Sequence, residues 1–562
     1  MLQPMRIVII GGVAAGATAA ARARRISETA EVTVIERGPY VSYANCGLPY
    51  FISGAIQKRS RLLLQTPEGF DSRYGVKVRV DTEALEIDRA AKRVRVKGPE
   101  GEEWIGYDAL ILAQGGNPVT PPIEGVEAAN VFRLWTVPDM DRLHSFLEKE
   151  KPASALITGG GFLGLEMAEA FRARGMAVTL VELLPMVMPA MDPEFGGLIR
   201  RRLEERGVQV VTGTGLKAVR SSSREVELSD GRRLPADLVL LSVGVQPELA
   251  LARRAGLVLG ECGGLQVDEY LRTSDPAIWA AGDMVEVVHK VSGRRIRLPL
   301  AGPANRQGRI AASNALGIPM KYRGAVGSSV VKVFDATAAF TGLSEAAARA
   351  AGFDAGAALV IRDHHASYYP GGRELVLKIV YDRKTARLLG GQAWGEEGAE
   401  KRIDVLATAL QGRMTLHDLA ELDLSYAPPY SSANDAVNMA AFVGLNDLSG
   451  FSPLITAAEL KRLLDGGDEA ERPLLLDVRN LGEYAAAHLR GALNIPIDEL
   501  RFRLEEVPRW RPIVVHCYSG FRSHLALRIL KQNGFERVRN LTGSWVAILA
   551  HGGFDIESET DT

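Results

Sequence analysis

Two of the chain's three cysteines sit where a thiol could do chemistry. Cys46, in Ser42-Tyr-Ala-Asn-Cys46, has no second cysteine near it in sequence. Such a lone thiolate can attack a sulfur of its substrate, hold one half as a mixed disulfide or persulfide, and be restored by reduction. Cys517 follows the apolar run Ile513 to His516 and starts a short loop, to Ser523, that opens a helix ending near Gly534. Loop N–H groups, the helix N-terminus and Arg522 would all favour an anionic sulfur there. Cys262, in Gly260-Glu-Cys262-Gly-Gly264, has no neighbouring base and reads as inert. The nine histidines show no paired ligand spacing, so no metal is expected, and His364 and His365 read more simply as loop surface than as a border of a site at Tyr368.

Two glycine-rich turns suit pyrophosphates, because glycine lets backbone approach the phosphates and the following helix presents its positive end. Gly11-Gly-Val-Ala-Ala-Gly16 follows the strand-like Arg6 to Ile10, opens an Ala/Arg helix, and is followed by Glu31 to Glu36. Gly159, Gly161 and Gly164, with Phe162 and Leu163 between them, form a full G-x-G-x-x-G that leads to a helix and to Ala177 to Glu182. The first copy has Val13 where the middle glycine usually stands, and its context of strand, helix and closing acid supports it. Glu36 and Glu182 are placed for ribose hydroxyls. Glu182 has no adjacent Arg and would itself repel a 2′-phosphate, which favours NADH over NADPH. On the first helix Thr18, Arg22 and Arg25 share one face at i, i+4 and i+7. Two cations there suit a phosphate-bearing thiol, and a solvated face fits the same spacing.

The elements that position these residues need several cores. The 562 residues are roughly four times a typical domain of about 150. An apolar fraction of 46%, a charged fraction of 24% and a net charge of -1 exclude disorder and collagen and give no sign of a polyanion or nucleic-acid partner. No apolar run reaches the roughly 18 residues that cross a bilayer. The early strand leaves no room for a signal peptide, and three cysteines exclude a disulfide scaffold, so a cytoplasmic protein is expected.

Ala109-Leu-Ile-Leu-Ala-Gln-Gly115 and Thr273 to Asp283, with both glycine-rich turns, resemble the two-dinucleotide flavoprotein reductases. That resemblance implies FAD held by Gly11, Gly12, Val13, Ala14, Ala15, Gly16, Glu36, Arg37, Ala113, Gly282, Asp283, Leu300, Ala301 and Tyr426, and NADH at the second turn and Glu182. The first turn, the Cys46 segment, Leu300 to Gly308 and Ser367 to Gly371 together look like coenzyme A disulfide reductase. This implies Cys46 as nucleophile and coenzyme A contacted by Thr18, Arg22, Arg25, Ser42, Asn45, Asn305 and Asn434. It also implies Tyr368 and Tyr426, supplied across a homodimer, as donors or acids for the leaving thiol. Related oxidases and peroxidases typically carry a His in the first glycine-rich segment, and residues 11 to 25 contain none. The Cys517 loop with Arg522, Asp477-Val-Arg479, His488 to Pro496 and Gly543-Ser-Trp545 resembles rhodanese, whose cysteine carries a persulfide. Ser544 and Ile548 depart from its usual Gly- and Trp-rich segment, a departure expected to touch packing more than chemistry.

The expected fold is α/β: two Rossmann-like FAD and NAD(P)H domains, an α+β dimerisation domain and an α/β rhodanese domain. Residues 1–150 and 276–324 are assigned to FAD, 151–275 to NAD(P)H, 325–445 to the interface, 446–453 to a linker and 454–562 to rhodanese. The expected function resembles that of coenzyme A disulfide reductase-like persulfide and polysulfide reductases: an NADH-dependent flavoprotein oxidoreductase that releases hydrogen sulfide, fed with sulfur by Cys517. The alternatives are reduction of coenzyme A disulfide itself and, from another class, a redox sensor or sulfur-carrier module.

Overall fold

The computed structural model describes residues 3–220, 222, 224–466 and 471–558, so the last four residues of the 454–562 assignment lie outside it. Two units are present: one runs to Val181 and resumes over Thr214–Ala325, and the other combines Glu182–Gly213 with the chain from Val326 onward.

In the first unit, Ile7 to Ile10 are buried and form the middle of a five-stranded parallel sheet. An uninterrupted apolar run suits a strand covered on both faces. The order is Ile278–Ala280, Ala109–Leu112, Arg6–Ile10, Glu31–Ile35, Lys77–Arg79. Helix Ala14–Ile26 packs through Ala15, Gly16, Ala19, Ala20 and Ala23, small residues that admit close neighbours. Helix Ala301–Ala315 is one such neighbour: a Cβ at Gly308 would stand 2.1 Å from the Ala15 carbonyl oxygen. A second parallel arrangement sets Ser154–Thr158 between Ala177–Glu182 and Leu238–Leu241, and helix Phe162–Ala173 follows its glycine-rich turn.

The second unit carries a five-stranded antiparallel sheet, in the order Ser329–Val333, Ala336–Gly342, Leu388–Gly395, Glu374–Asp382, Ala355–Asp363. Beyond it lies a parallel sheet in which Ile513–His516 stands between Val538–Leu541 and Leu474–Asp477. This C-terminal module is docked on the antiparallel sheet of its own chain. The buried Thr542 hydroxyl accepts from the Leu359 N–H (2.7 Å) and donates to its carbonyl (3.1 Å). Helix Pro193–Glu205 also touches the module, since a Cβ at Gly197 would fall 1.6 Å from the Ala550 carbonyl oxygen.

The stretch expected as a linker differs from that expectation. Helix Ala436–Leu448 runs through Asn446, and Asp447 is a buried anchor that accepts from the Tyr381 hydroxyl (2.6 Å) and the Leu454 N–H (2.8 Å). The Gly, Ser and Pro residues shape a tight turn fixed by that carboxylate.

A buried charge cluster ties the remaining parts of this unit. Lys378, 1% exposed, places Nζ 3.0 Å from Asp192, 3.3 Å from Glu194 and 3.1 Å from Glu345. Burial alone lowers its pKa, and the three carboxylates outweigh that and raise it. Removing one partner strands the others in low dielectric. Lys378→Met is therefore expected to lower stability by about 3–5 kcal/mol in urea unfolding. Part of that loss should be recovered on acidification, as the stranded carboxylates take up protons.

Candidate functional site

The first glycine-rich turn is a backbone-to-backbone fit. Gly11 has φ +98°, and a Cβ there would meet the Ala113 carbonyl oxygen at 2.3 Å; at Gly16 it would meet the Gly11 carbonyl oxygen at 1.7 Å. Val13 is tolerated because it occupies the N-cap of helix Ala14–Ile26, outside those two contacts. Glu36 closes the turn: its two oxygens accept from the Gly12 and Gly38 N–H groups, both at 2.8 Å. Burial pushes its carboxyl up, against the pull of those two donors. A cleft of about 170 Å³ opens here, lined by Gly11, Glu36, Arg37, Thr82, Gln114 and Glu248 among others. The buried Gln114 Oε1 has no hydrogen-bond partner among the described residues, so the cleft offers an acceptor to a ligand. Asp283, pushed up to about 6 by burial, follows Gly282, whose N–H donates to Gln307 (2.7 Å). Leu300 is the N-cap of helix Ala301–Ala315. Small glycines, the Glu36 carboxylate, an orphaned acceptor and an acid whose pKa is raised by burial fit a dinucleotide with a polyhydroxyl chain, as FAD is.

Gly12 links this cleft to Cys46. Its carbonyl accepts from the Ser42 N–H (2.8 Å), and Ser42 sits at φ +48°, where a side chain is strained. The Ser42 carbonyl in turn accepts from the Leu64 N–H at 2.9 Å. The chain then makes a 3-10 turn, Asn45–Gly47, that exposes Cys46. Asn45 Oδ1 takes the Cys46 N–H at 3.0 Å and lies 3.7 Å from Sγ. Desolvation pushes the Cys46 thiol up, and the Glu166 and Asp283 carboxylates push it further. The protein alone thus keeps this sulfur as a thiol, and an electron-poor ring beside it would be what favours the thiolate.

The proposed coenzyme A face is partly turned inward. Thr18 donates to Asn305 (3.0 Å), Arg22 to Ser313 (3.0 Å), and the exposed Arg25 to the Ala21 carbonyl (3.0 Å). The Arg22 pKa is lowered by burial and then by Arg309 and Arg25. Sequence reading missed Arg309, which immediately follows the quoted Leu300 to Gly308 segment. Three guanidiniums close enough to repel one another suit an anionic ligand better than bare solvent.

The second turn repeats the first. Gly159 has φ +103° with a Cβ position 2.1 Å from the Ser242 carbonyl oxygen, and the Gly164 position lies 1.9 Å from the Gly159 carbonyl oxygen. Gly161 caps helix Phe162–Ala173 beside open space. Glu182 ends its strand and accepts from the Leu184 N–H at 2.8 Å.

In the second unit the Tyr368 and Tyr426 hydroxyls are 2.7 Å apart, with Tyr368 73% exposed. The bond to Tyr426 raises the Tyr368 pKa, so Tyr368 holds its proton at neutral pH. Their loop rests on Arg402, which donates to the His364 carbonyl (2.8 Å) and to the buried Asp435 (2.7 Å) next to the exposed Asn434. His365 is buried rather than surface, edge-on to Tyr369, and so helps to hold this loop.

Cys517 is buried at the bottom of its loop. Its Sγ accepts from the Gly520 N–H (3.1 Å) and the Ser523 hydroxyl (3.5 Å). Arg522 is also in reach of the sulfur and forks onto Glu483 with two 2.7 Å bonds. Ser544, expected to matter for packing, is fully buried and also accepts from the Cys517 N–H (3.2 Å) and donates to the Leu541 carbonyl (3.1 Å). Tyr518 donates to Glu374 of the antiparallel sheet at 3.2 Å, which ties the cysteine loop to the strand that follows the tyrosine loop. Cys262 is exposed and donates to the Arg295 carbonyl. Among the described residues no cluster of three or more His, Cys, Asp or Glu could hold a metal ion, and no helix is long and apolar enough to cross a membrane.

Residues 5–308 match the pyridine nucleotide-disulphide oxidoreductase family model. The chain belongs to that family. Residues 328–437 match its dimerisation domain and 456–551 match the rhodanese-like domain. A "NAD(P)H sulfur oxidoreductase (CoA-dependent)" of Pyrococcus abyssi is 37% identical over 78% of this chain and 97% of its own length. The crystal structure of reduced Bacillus anthracis CoADR-RHD superposes with a TM-score of 0.93 and 40% identity, over 97% of this chain and 98% of that one. A NAD-dependent persulfide reductase from A. fulgidus gives a TM-score of 0.90 and 39% identity, over 96% and 99%. The family is FAD-dependent and uses NAD(P)H.

Below Cys517 the rhodanese domain buries His516, and among the described residues neither ring nitrogen has a hydrogen-bond partner. Burial drives its pKa down to about 4, with Asp477 opposing and Arg479 assisting. The folded state prefers neutral imidazole, so stability is held above about 6.5 and lost as pH falls toward about 4. The urea midpoint of this domain should drop across that window, and His516→Gln should flatten the drop.

Proposed function

We propose that the protein reduces persulfides with NADH through FAD and releases hydrogen sulfide, with coenzyme A as the sulfur carrier. The observation that carries this reading is the pairing of two free thiols of opposite design. Cys517 is buried under donors that stabilise an anionic sulfur; Cys46 is exposed, kept protonated by its surroundings, and without a second cysteine as partner. The overall reaction balances as R–S–SH + NADH + H⁺ → R–SH + H₂S + NAD⁺.

The turn from Gly11 to Gly16, Glu36 and Asp283 would hold FAD, which when bound supplies the electron pair taken from NADH. Gly159 to Gly164 and Glu182 would hold NADH, the Glu182 charge disfavouring a 2′-phosphate. Cys517 thiolate takes the outer sulfur of a donor persulfide and passes it to the thiolate of coenzyme A, held by Thr18, Arg22, Arg25, Ser42, Asn45, Asn305 and Asn434. Cys46 then attacks the coenzyme A persulfide. Attack at the inner sulfur frees sulfide first, attack at the outer sulfur frees coenzyme A first, and two electrons return Cys46 to its thiol in either case. The hydrogen-bonded pair formed by the partner subunit's Tyr368 and the partner subunit's Tyr426 stabilises the departing thiolate without being ionised itself. A reducing, cytoplasmic setting keeps both thiols available. The same Cys46 chemistry would open coenzyme A disulfide; the rhodanese domain, which a disulfide does not need, favours the persulfide.

NADH-coupled sulfide release from coenzyme A persulfide is expected to vanish in Cys46→Ser. Robust release by that variant would overturn the assignment. Cys517→Ser should keep turnover of preformed coenzyme A persulfide and lose turnover of other sulfur donors supplied with coenzyme A; equal loss on both would contradict the division of roles.

A further inference from the structure

Which donors load Cys517 is readable from what Arg522 touches, an inference that rests on Cys517 being the sulfur acceptor. Arg522 is in reach of the loop sulfur, and that cation is already matched. Arg522 Nη1 and Nη2 each donate to a different oxygen of Glu483, both at 2.7 Å, in a coplanar-fork pairing that is among the stronger side-chain contacts. Glu483 is itself fixed. It stands in the first turn of helix Leu481–Ala486, where the Asn480 N–H donates to its carboxylate (3.1 Å) and the Asn480 side chain accepts from its own N–H (2.9 Å). Each partner shifts the other toward its charged form. Leu481 and Phe521, close to the pair in sequence, are exposed apolar side chains, at 64% and 67%. The Arg522–Glu483 pair therefore brings no net charge of its own to the mouth of the loop.

The two donor classes place different demands on such a mouth. With an alkyl persulfide, Cys517–S⁻ + R–S–SH → Cys517–S–SH + R–S⁻. The Sγ–S bond forms, the donor S–S bond breaks, the proton stays on the transferred sulfur, and the electron pair leaves on a monoanionic thiolate beside carbon. With thiosulfate, Cys517–S⁻ + S–SO₃²⁻ → Cys517–S–S⁻ + SO₃²⁻, and a dianion must both enter and leave. An unengaged guanidinium would offset that second charge. Here Glu483 competes for it.

We propose that Glu483 sets the donor specificity of the rhodanese domain: by occupying the Arg522 fork it admits alkyl persulfides and turns away dianions of the thiosulfate type. Specificity of this kind comes from the repulsive element as much as from the attractive one. Glu483 acts through Arg522 and is a positioning residue.

The test follows the loading of Cys517 by intact mass, in a Cys46→Ser background, with thiosulfate and with N-acetylcysteine persulfide as the two donors. Glu483→Gln should speed loading by thiosulfate by about tenfold or more and leave loading by the alkyl persulfide within about twofold, since a charge-assisted contact of this strength is released. Adding Arg522→Met to Glu483→Gln should abolish the gain. A folded Glu483→Gln protein in which both donors change by the same factor, or in which thiosulfate loading is unchanged, overturns the proposal. Should that variant not fold, the unmodified Glu483 protein still decides: thiosulfate loading as fast as alkyl persulfide loading overturns it, and a large preference for the alkyl persulfide supports it. Loading needs neither NADH nor FAD, so failure here leaves NADH-coupled persulfide reduction standing, and failure of the coupled reaction leaves the donor ratio as measured.

Discussion

The peptide groups of Gly12 carry the organisation of the first unit. Its N–H is held by the Glu36 carboxylate and its carbonyl by the Ser42 N–H, so one residue joins the dinucleotide turn to the segment that presents Cys46. A side chain there would press on Val41, with a Cβ 2.8 Å from the Val41 Cγ2. The Cys46 thiol is then placed by the same backbone that is proposed to cradle a pyrophosphate. The surroundings of the thiol keep it protonated, by desolvation first and by the Glu166 and Asp283 carboxylates after it.

The second unit uses side chains for the same purpose. The Thr542 hydroxyl closes two bonds on Leu359, Tyr518 reaches Glu374, and Asp447 clamps the start of the rhodanese domain. The buried ones among these, Thr542 and Asp447, fix one docking geometry, because any shift would leave them unpaired. The rhodanese domain is thus a fixed part of its own chain, with the Cys517 loop one strand-end away from the loop that carries Tyr368. The Lys378 cluster extends this logic to helix Pro193–Glu205, whose Glu194 it holds.

Much of this was legible in the residue order. Glycine spacing, the acids at Glu36 and Glu182, and the apolar strands are local signals, and local backbone constraints leave direct marks on sequence. Cys46 and Cys517 were legible because each sits at a strand or turn end with polar neighbours and no dithiol partner. What stayed hidden depends on residues distant in sequence. Arg309 meets Arg22 only after two helices pack; Glu483 meets Arg522 across 39 positions; and Asp447 reads as linker until Tyr381 is brought to it. The bond made by Ser544 stayed hidden for the same reason. Its oxygen holds the Cys517 N–H only once the two loops face each other, at a backbone φ of +46° that sequence does not reveal.

The central claim is a relay in which sulfur loaded on Cys517 leaves as sulfide by way of Cys46. The most direct measurement loads Cys517 with isotopically labelled sulfane sulfur, removes free donor, and then adds coenzyme A and NADH for a single turnover. The account predicts labelled sulfide in an amount matching the loaded Cys517, with an equal amount of NADH consumed and none released when coenzyme A is withheld. Label that stays on Cys517 while NADH is oxidised, or that leaves without coenzyme A, would contradict it.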